Sequence, residues 1–266
     1  MGTPSGENGG VRVVLTGAAG SIGRALRPSL RERASLVRLV DAKPIEDAAA
    51  GEDAACFDLI DLGRTRETLS GMDAVVHLAA LPTEDSYDRI AEANLRSTYN
   101  VFEAARLEGV RRIVFASSNH ATGFYRRDER VSPRDPVRPD SLYGVSKVFG
   151  EALGSLYADK FGLEVVALRI GAFAEEPPEN EARPMWLSPG DMARLTLAAL
   201  TAPDVRFEVV YGLSDTGSGW WANDEAARRI GFRPKDRIEP RDPGPGFQGD
   251  PFTRPEYHGD EPATEA

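Results

Sequence analysis

The chain has 266 residues, a single cysteine and a formal net charge of −10, and 41% of its residues are hydrophobic. This length suits one domain with a sizeable core, and the acidic balance argues against a nucleic-acid-binding surface, which needs a basic patch. There is no apolar run of about 18 residues to predict a membrane span, and the polar N-terminus lacks the form of a signal peptide. A lone cysteine cannot form an intrachain disulfide, so we expect a cytoplasmic protein.

Short β-rich segments alternate with helical segments over the first two thirds of the chain. The predicted strands are residues 11–16, 36–40, 54–57, 73–78, 112–116 and 164–170. The predicted helices are residues 21–33, 87–107 and 142–161. This alternation predicts an α/β fold, a Rossmann-type doubly wound parallel sheet with helices on both faces. Cys56 lies on the third predicted strand, where we expect it to be buried and to serve packing.

Regularity weakens after residue 170. An acidic, proline-rich loop over residues 175–184 precedes a helix (189–202), a strand (206–211) and a short helix (223–230). We predict one domain over residues 11–239, in which residues 171–239 mainly form a small C-terminal lobe on the substrate side. Residues 1–10 are predicted to be disordered, and residues 240–266 to form an acidic tail rich in proline and glycine.

A glycine-rich turn follows the first predicted strand and opens the first helix. Glycine lets the backbone turn tightly and approach a pyrophosphate, while the helix N-terminus offers free N–H groups and a positive dipole end. We therefore predict a dinucleotide site. Its first group of residues is Gly17, Gly20, Ser21, Ile22 and Gly23.

Acidic side chains after the next two strands indicate which dinucleotide binds. Asp41 ends the second strand, where a carboxylate can bind both adenosine ribose hydroxyls and repels a 2′-phosphate, so NAD is favoured over NADP. Lys43 and Arg24 lie close enough in sequence to blunt that preference. Asp58 and Leu59 follow the third strand, at a position suited to the adenine.

Three polar residues predict proton and hydride chemistry. Tyr143 and Lys147 are four residues apart and share a helix face, so the ammonium group can stabilise the phenolate and lower a pKa that is normally near 10. Ser118 ends a strand at the carboxyl edge of the sheet, where open α/β sheets bind ligands. In this hypothesis Tyr143 takes the proton of a substrate hydroxyl, Lys147 also binds the nicotinamide ribose, and Ser118 orients the substrate oxygen.

Over residues 11–232 the chain resembles an extended short-chain dehydrogenase/reductase, and more narrowly it resembles the uronate dehydrogenases. The segments that carry the narrower resemblance are residues 115–120 (FASSNH), 141–147 (SLYGVSK), 149–151 (FGE), 169–171 (RIG), 219–221 (GWW) and 247–249 (FQG). The serine-asparagine-histidine run is much more specific than the tyrosine-lysine pair.

The resemblance implies NAD-dependent oxidation of the anomeric carbon of a hexuronic acid to an aldarolactone. It makes Tyr143 the base and Lys147 its partner, and it brings Ser118, Asn119 and His120 into contact with the sugar. It also places Leu78, Ala79 and Ala80 beside the cofactor. His77 and His258 receive no role, and no metal site is predicted, because three histidines and one cysteine show no metal-ligand spacing.

The chain departs from the uronate dehydrogenase pattern at three places. The family holds the sugar carboxylate with an arginine, for which Arg183 is the candidate in a loop of different length. Ala172 and Pro82 stand where the family has serines, although Thr83 can replace the second hydroxyl. These differences leave a changed sugar open.

Other functions fit parts of the same pattern. The substrate is predicted to be a sugar acid or a sugar phosphate, since NAD-dependent glucose-6-phosphate dehydrogenases of this superfamily have similar segments. Uronates, sugar 6-phosphates and sulfonated sugars all carry an anion at carbon 6, so one arginine can serve any of them. A sugar-nucleotide epimerase or dehydratase, and a non-catalytic NAD sensor, are the remaining alternatives. The two long helices pair between subunits in many relatives, which predicts a homo-oligomer by analogy.

Overall fold

A seven-stranded parallel sheet organises residues 10–257, the part of the chain that this computed structural model describes. Residues 1–9 and 258–266 lie outside that range, and with them most of the predicted N-terminal disorder, His258 and the end of the predicted tail. In chain order the strands are β1 (Val11–Thr16), β2 (Ala34–Asp41), β3 (Glu52–Cys56), β4 (Ala74–His77), β5 (Arg112–Ser118), β6 (Glu164–Ile170), the short pair β7 (Ala172–Phe173) and β8 (Trp186–Leu187), and β9 (Phe207–Gly212). The large sheet has the order β3-β2-β1-β4-β5-β6-β9, while β7 pairs with β8 alone.

Helices cover both faces of this sheet. They are α1 (Ser21–Arg31), α2 (Leu62–Leu69), α3 (Tyr87–Ile90), α4 (Ser97–Glu108), α5 (Leu142–Phe161), α6 (Pro189–Thr201) and α7 (Asp224–Ile230). A π-helical stretch, Ala91–Arg96, joins α3 to α4, so the predicted helix over residues 87–107 contains a wide turn. Within residues 10–257 no helix combines the length and apolarity that crossing a membrane requires.

Two hydrophobic cores, one on each face, explain why these helices dock. Leu26 and Leu30 of α1 pack with Leu195 of α6 on one face. Phe102 of α4 and Tyr157 of α5 pack on the other. Fully burying such a side chain contributes about 1.5–3 kcal/mol, so helices on both faces are the stable arrangement. The predicted doubly wound α/β fold is confirmed.

The position of α5 sets the position of the candidate site. Ser141 caps the helix, since its hydroxyl accepts a hydrogen bond from the Gly144 N–H at 2.9 Å. Gly150 lets the helix approach β5, because a Cβ there would lie 2.1 Å from the Phe115 ring. The first turns of α5 are therefore held against the strand that ends at Ser118.

The prediction that Cys56 is buried is wrong. Its segment does form a strand, but β3 is the edge of the sheet and Cys56 is exposed there. The thiol Sγ lies 3.5 Å from the Ala42 carbonyl oxygen. An edge strand has a neighbouring strand on one side only, so an apolar run in the sequence does not guarantee that its side chains are buried.

A third, small hydrophobic core involves residues of the predicted C-terminal lobe, and part of the predicted tail is attached to it. Met185, Tyr211, Trp220 and Trp221 form most of this core. The Trp221 indole donates a hydrogen bond to Gln248 Oε1 at 2.9 Å, and Gln248 is only 2% exposed. Residues near 248 therefore belong to the folded unit.

A buried ion pair lies beneath the end of β5. Arg169 Nε and Nη2 donate to the two carboxylate oxygens of Glu151, both at 2.8 Å, and Ser117 donates to the same carboxylate. The two side chains are 2% and 8% exposed.

Replacing Glu151 with glutamine is expected to lower the free energy of unfolding by about 3–5 kcal/mol, because it leaves the buried Arg169 guanidinium without its counter-charge. Urea unfolding followed by circular dichroism would measure the change. The control is Glu225→Gln in the exposed Arg134–Glu225 pair, which should cost no more than about 1 kcal/mol. Equal effects of the two substitutions would contradict the prediction.

Candidate active site

The glycine-rich turn between β1 and α1 is tight. Gly17 has φ of +69°, which favours glycine, and its carbonyl accepts a hydrogen bond from the Gly20 N–H at 3.1 Å. A Cβ on Gly23 would lie 2.3 Å from the Gly17 oxygen, so that position also excludes a side chain. Ser21 and Ile22 begin α1, whose first N–H groups have no partner within the helix. This arrangement fits a pyrophosphate group.

Asp41 ends β2 beside this turn. Its carboxylate accepts hydrogen bonds from the Ala19 and Lys43 N–H groups, both at 2.9 Å. The side chain is half-buried, and each carboxylate oxygen keeps a second lone pair. Asp41 therefore holds the glycine turn and also fits two ribose hydroxyls.

The residues after β3 and β4 also reach this edge of the sheet. Asp58 is exposed and Leu59 is buried. The segment Leu78, Ala79 and Ala80 is half-buried, and the Ala79 N–H donates to the Thr16 hydroxyl at 3.2 Å. A Cβ on Gly17 would lie 2.8 Å from the Ala79 nitrogen, so this segment runs directly alongside the turn.

Tyr143 and Lys147 lie on the first two turns of α5, with the Lys147 ammonium nitrogen 5.3 Å from the centre of the Tyr143 ring. Burial raises the pKa of Tyr143 to about 12, and the nearby Ser118 hydroxyl opposes that rise. Burial lowers the pKa of Lys147 to about 8. The structure thus brings the three predicted catalytic residues together in a place where water is largely excluded.

His77 lies under this group without reaching the surface. Burial, and then the charge of Lys147, lowers the pKa of His77 to about 3, so the ring is neutral. Its two nitrogens contact the hydroxyls of Thr16 and Thr98 at 2.8 and 3.2 Å. Both ring nitrogens of His77 therefore have partners inside the protein.

Asn119 and His120 follow β5 in a short 3₁₀ turn. The Asn119 amide lies 3.4 Å from the Met185 sulfur, and the His120 ring contacts the Tyr143 ring edge-on with centroids 5.8 Å apart. The other face of His120 stacks on Phe252, with centroids 4.3 Å apart and planes 20° apart. A residue from the predicted tail therefore covers the candidate site.

Arg183 and Thr83 are less closely connected with this group. Arg183 donates to Glu179 at 3.0 Å in a pocket of about 230 Å³ that Arg241 also lines. Its link to the other candidates is through Met185, two residues further on. Thr83 is exposed.

Three residues near the site escaped the sequence prediction. Glu84, next to Thr83, accepts hydrogen bonds from the Leu142 and Tyr143 N–H groups at 3.1 and 2.9 Å, and so holds the start of α5. Asp140 and Phe252 contact His120. The proline-aspartate-serine sequence ahead of α5 is a helix-start signal that could have identified Asp140, but no local pattern identifies Glu84 or Phe252.

The chain belongs to the NAD dependent epimerase/dehydratase family, whose model matches residues 13–183. Within that class it is 42% identical to the uronate dehydrogenase of Pseudomonas putida over 229 residues, which cover 86% of this chain and 85% of that protein. The resemblance to uronate dehydrogenases found in the sequence is thereby confirmed.

Solved structures agree with this assignment. The glucuronic acid dehydrogenase of Chromohalobacter salexigens superposes with a TM-score of 0.88 at 39% identity, covering 94% of this chain and 99% of that one. A tyrosine-to-alanine variant of uronate dehydrogenase from Agrobacterium tumefaciens, complexed with NAD, superposes with a TM-score of 0.86 at 38% identity, covering 93% and 99%.

Proposed function

We propose that this protein is an NAD-dependent dehydrogenase that oxidises C1 of a hexuronic acid, glucuronate or galacturonate, to the aldarolactone. The observation that carries the proposal is the convergence of Tyr143, Lys147 and Ser118 at the sheet edge that also holds the glycine turn. Relatives with about 40% identity over most of the chain act on uronates, which supports the same substrate class.

The proposed reaction removes a proton from the C1 hydroxyl group and a hydride from C1 itself. The Tyr143 phenolate accepts the proton of the C1 hydroxyl, while Lys147 stabilises the phenolate charge and Ser118 orients the hydroxyl oxygen. Bound NAD would supply the acceptor for the hydride that leaves C1. As the C1–H bond breaks, C1 and its former hydroxyl oxygen form a C=O double bond. The ring oxygen stays bonded to C1 and becomes the ester oxygen of the lactone.

The cofactor pocket combines the residues that meet around the glycine turn. Backbone N–H groups at the start of α1 hold the pyrophosphate, Asp41 holds the adenosine ribose, and Lys147 reaches the nicotinamide ribose. The remaining members, which line the adenine and nicotinamide ends, are Asp58, Leu59, Leu78, Ala79 and Ala80.

In this proposal four polar side chains around Tyr143 bind the sugar. Asn119 and His120 contact sugar hydroxyls, Thr83 supplies a hydroxyl where Pro82 has none, and Arg183 binds the carboxylate. To reach the carboxylate, Arg183 exchanges its exposed partner Glu179 for the substrate.

Arg183→Ala is expected to raise KM about tenfold or more for glucuronate, because a charge-assisted hydrogen bond contributes roughly 1.5–3 kcal/mol. KM for a neutral aldose should change far less. Initial rates of NADH formation with both substrates would measure this. The matched control is Arg241→Ala, the other guanidinium on Glu179, which should leave both KM values within about twofold. An equal rise for charged and neutral sugars would remove the proposed role.

A substrate panel tests the function itself. The protein is incubated with NAD and glucuronate, galacturonate, glucose 6-phosphate, sulfoquinovose or neutral aldoses, and NADH absorbance is followed. Rapid NADH formation with a uronate supports the proposal. The highest kcat/KM for glucose 6-phosphate would favour the sugar-phosphate alternative. No NADH with any sugar, together with NAD retained on the protein, would sink the proposal and favour the epimerase or dehydratase alternative.

Self-association is proposed as well. The helices α3, α4 and α5 expose four large hydrophobic side chains at 45–61% of their areas, and a second copy of the chain would cover them: Tyr87, Tyr99, Val145 and Leu156. Sedimentation analysis would give the oligomeric state. Cytoplasmic location stays a prediction from the single cysteine.

A further inference from the structure

His120 and Asp140 form a close pair at the edge of the candidate site. His120 Nδ1 lies 2.8 Å from Asp140 Oδ2, and the carboxylate side chain is fully buried while the imidazole is 18% exposed. A buried carboxylate needs donors around it, since an unpaired charge is costly to bury. The ring and the carboxylate therefore constrain each other.

The surroundings of Asp140 leave its carboxylate one position. A Cβ added to Gly123 or to Gly249 would come within 1.7 Å of Asp140 Oδ2, so two glycine backbones close on this oxygen from different parts of the chain. The Gly249 N–H donates to the Gly123 carbonyl at 2.9 Å and ties these two segments together. Gly249 belongs to the C-terminal segment that also carries Phe252.

The second carboxylate oxygen connects the pair to α5. Asp140 Oδ1 accepts a hydrogen bond from the Ser141 hydroxyl at 2.8 Å, and Ser141 in turn caps the helix that carries Tyr143. One buried carboxylate thus links the side chain predicted to contact the sugar with the helix predicted to supply the base.

The chemistry of this contact defines the imidazole tautomer. An ionised carboxylate only accepts hydrogen bonds, so His120 Nδ1 must carry the hydrogen. In the neutral ring Nε2 is then an acceptor. Among residues 10–257, the Nδ1 contact is the ring's only hydrogen bond through a nitrogen, so Nε2 stays available.

Packing fixes the plane of the ring. Phe252 stacks on one face at 4.3 Å and Tyr143 meets the ring edge-on at 5.8 Å. A flip of the ring about its Cβ–Cγ bond would keep this plane but would put Cδ2 where Nδ1 now meets Asp140, so the hydrogen bond to Asp140 opposes the flip. Hydrogen bond and stack together select one orientation.

We propose that Asp140 is a positioning residue that holds His120 as the Nδ1–H tautomer, so that Nε2 accepts a hydrogen bond from a hydroxyl of the sugar acid. The identity of the sugar rests on the proposed function, whereas the tautomer does not. The Asp140 carboxylate touches neither substrate nor cofactor in this role and acts on the sugar through His120, while its charge also contributes to the raised pKa of Tyr143.

Nitrogen NMR of the ¹⁵N-histidine-labelled protein tests the tautomer directly. The chain has three histidines, so few signals arise, and His120→Gln identifies the one of interest. At a pH where the ring is neutral, wild-type protein should show a protonated Nδ1 and a bare Nε2. Asp140→Asn should shift this signal toward the other tautomer or a mixture, because an amide can also donate to Nδ1. A wild-type signal with protonated Nε2 would overturn the proposal.

Kinetics supply the second readout. Asp140→Asn should raise KM for glucuronate about tenfold while kcat falls less, since the hydrogen bond to the sugar is weakened and the base is retained. The control is Asp128→Asn, an exposed aspartate in the loop between β5 and α5, which should change neither signal nor KM. If Asp140→Asn fails to fold, Gly249→Ala displaces the carboxylate without removing it, and it should move both readouts in the same direction.

The two outcomes are separable. Suppose that the wild-type protein oxidises no uronate, that His120 carries its hydrogen on Nδ1, and that this hydrogen leaves Nδ1 when Asp140 is substituted. The proposed function then fails and the positioning role stands. If uronate is oxidised and Asp140→Asn leaves tautomer and KM unchanged, the positioning role fails alone.

Discussion

Replacing Tyr143 with phenylalanine is expected to lower kcat for uronate oxidation by a factor of roughly 10² to 10⁴, the range that a positioned acid-base group contributes. The substitution removes one oxygen and keeps the buried ring. It leaves the glycine turn and Asp41 untouched. NAD binding, measured by calorimetric titration, should therefore persist.

Tyr157→Phe provides the matched control for this experiment. Tyr157 lies on the same helix, and its hydroxyl donates to Glu103 at 2.9 Å on a face away from Ser118. Loss of that hydroxyl should leave kcat within about twofold, although one neutral-to-charged hydrogen bond is lost from the fold. Turnover that survives in Tyr143→Phe would show that the phenol is not the base.

The second large effect is expected at Lys147. The base must lose its proton before it can act, and burial holds the pKa of Tyr143 near 12, so kcat/KM should rise with pH above neutrality. A cation this close to a phenol favours the phenolate, so Lys147 is expected to lower the pH at which the phenolate forms. Because the pKa of Lys147 itself is lowered to about 8, this help fades as the ammonium group loses its proton in the alkaline range. The wild-type profile should therefore rise most steeply below pH 8 and flatten above it.

Lys147→Met is expected to move the rising limb of kcat/KM at least about one unit toward higher pH, since a nearby opposite charge changes a pKa by roughly one to three units. KM for NAD should also rise, because the proposed contact to the nicotinamide ribose is lost. Initial rates from pH 6 to 10 would measure both effects. Lys160→Met, at the exposed end of the same helix, is the control and should keep the wild-type profile. A Lys147→Met profile that falls uniformly without a shift would contradict the electrostatic role.

The elements with strong local signals were predicted well. β6 and α5 have the predicted bounds, because the first contains a central apolar run over residues 165–168 and the second starts at a serine cap and ends before a glycine with φ of +76°. Cys56 was misplaced, because hydrophobic character alone cannot tell an edge strand from a central one. The sheet order that decides this comes from long-range pairing.

The candidate site likewise contains residues that local sequence signals predict and residues that only the tertiary structure reveals. Gly17, Asp41, Ser118 and Tyr143 lie at strand ends or helix starts, and a parallel sheet brings such positions to one edge. Phe252 lies in irregular chain that has no periodicity to analyse, so only tertiary structure could place it on His120. Arg183 was inferred from a family role, and the structure gives it Glu179 as a partner.

Asp41 has a consequence for the evolution of cofactor use in this chain. The carboxylate that would turn away a 2′-phosphate is also the acceptor for the Ala19 N–H inside the glycine turn. A substitution that removes the negative charge here to admit the phosphorylated cofactor therefore also alters a hydrogen bond within the loop meant to receive it. The choice of cofactor and the order of the glycine turn thus depend on the same side chain.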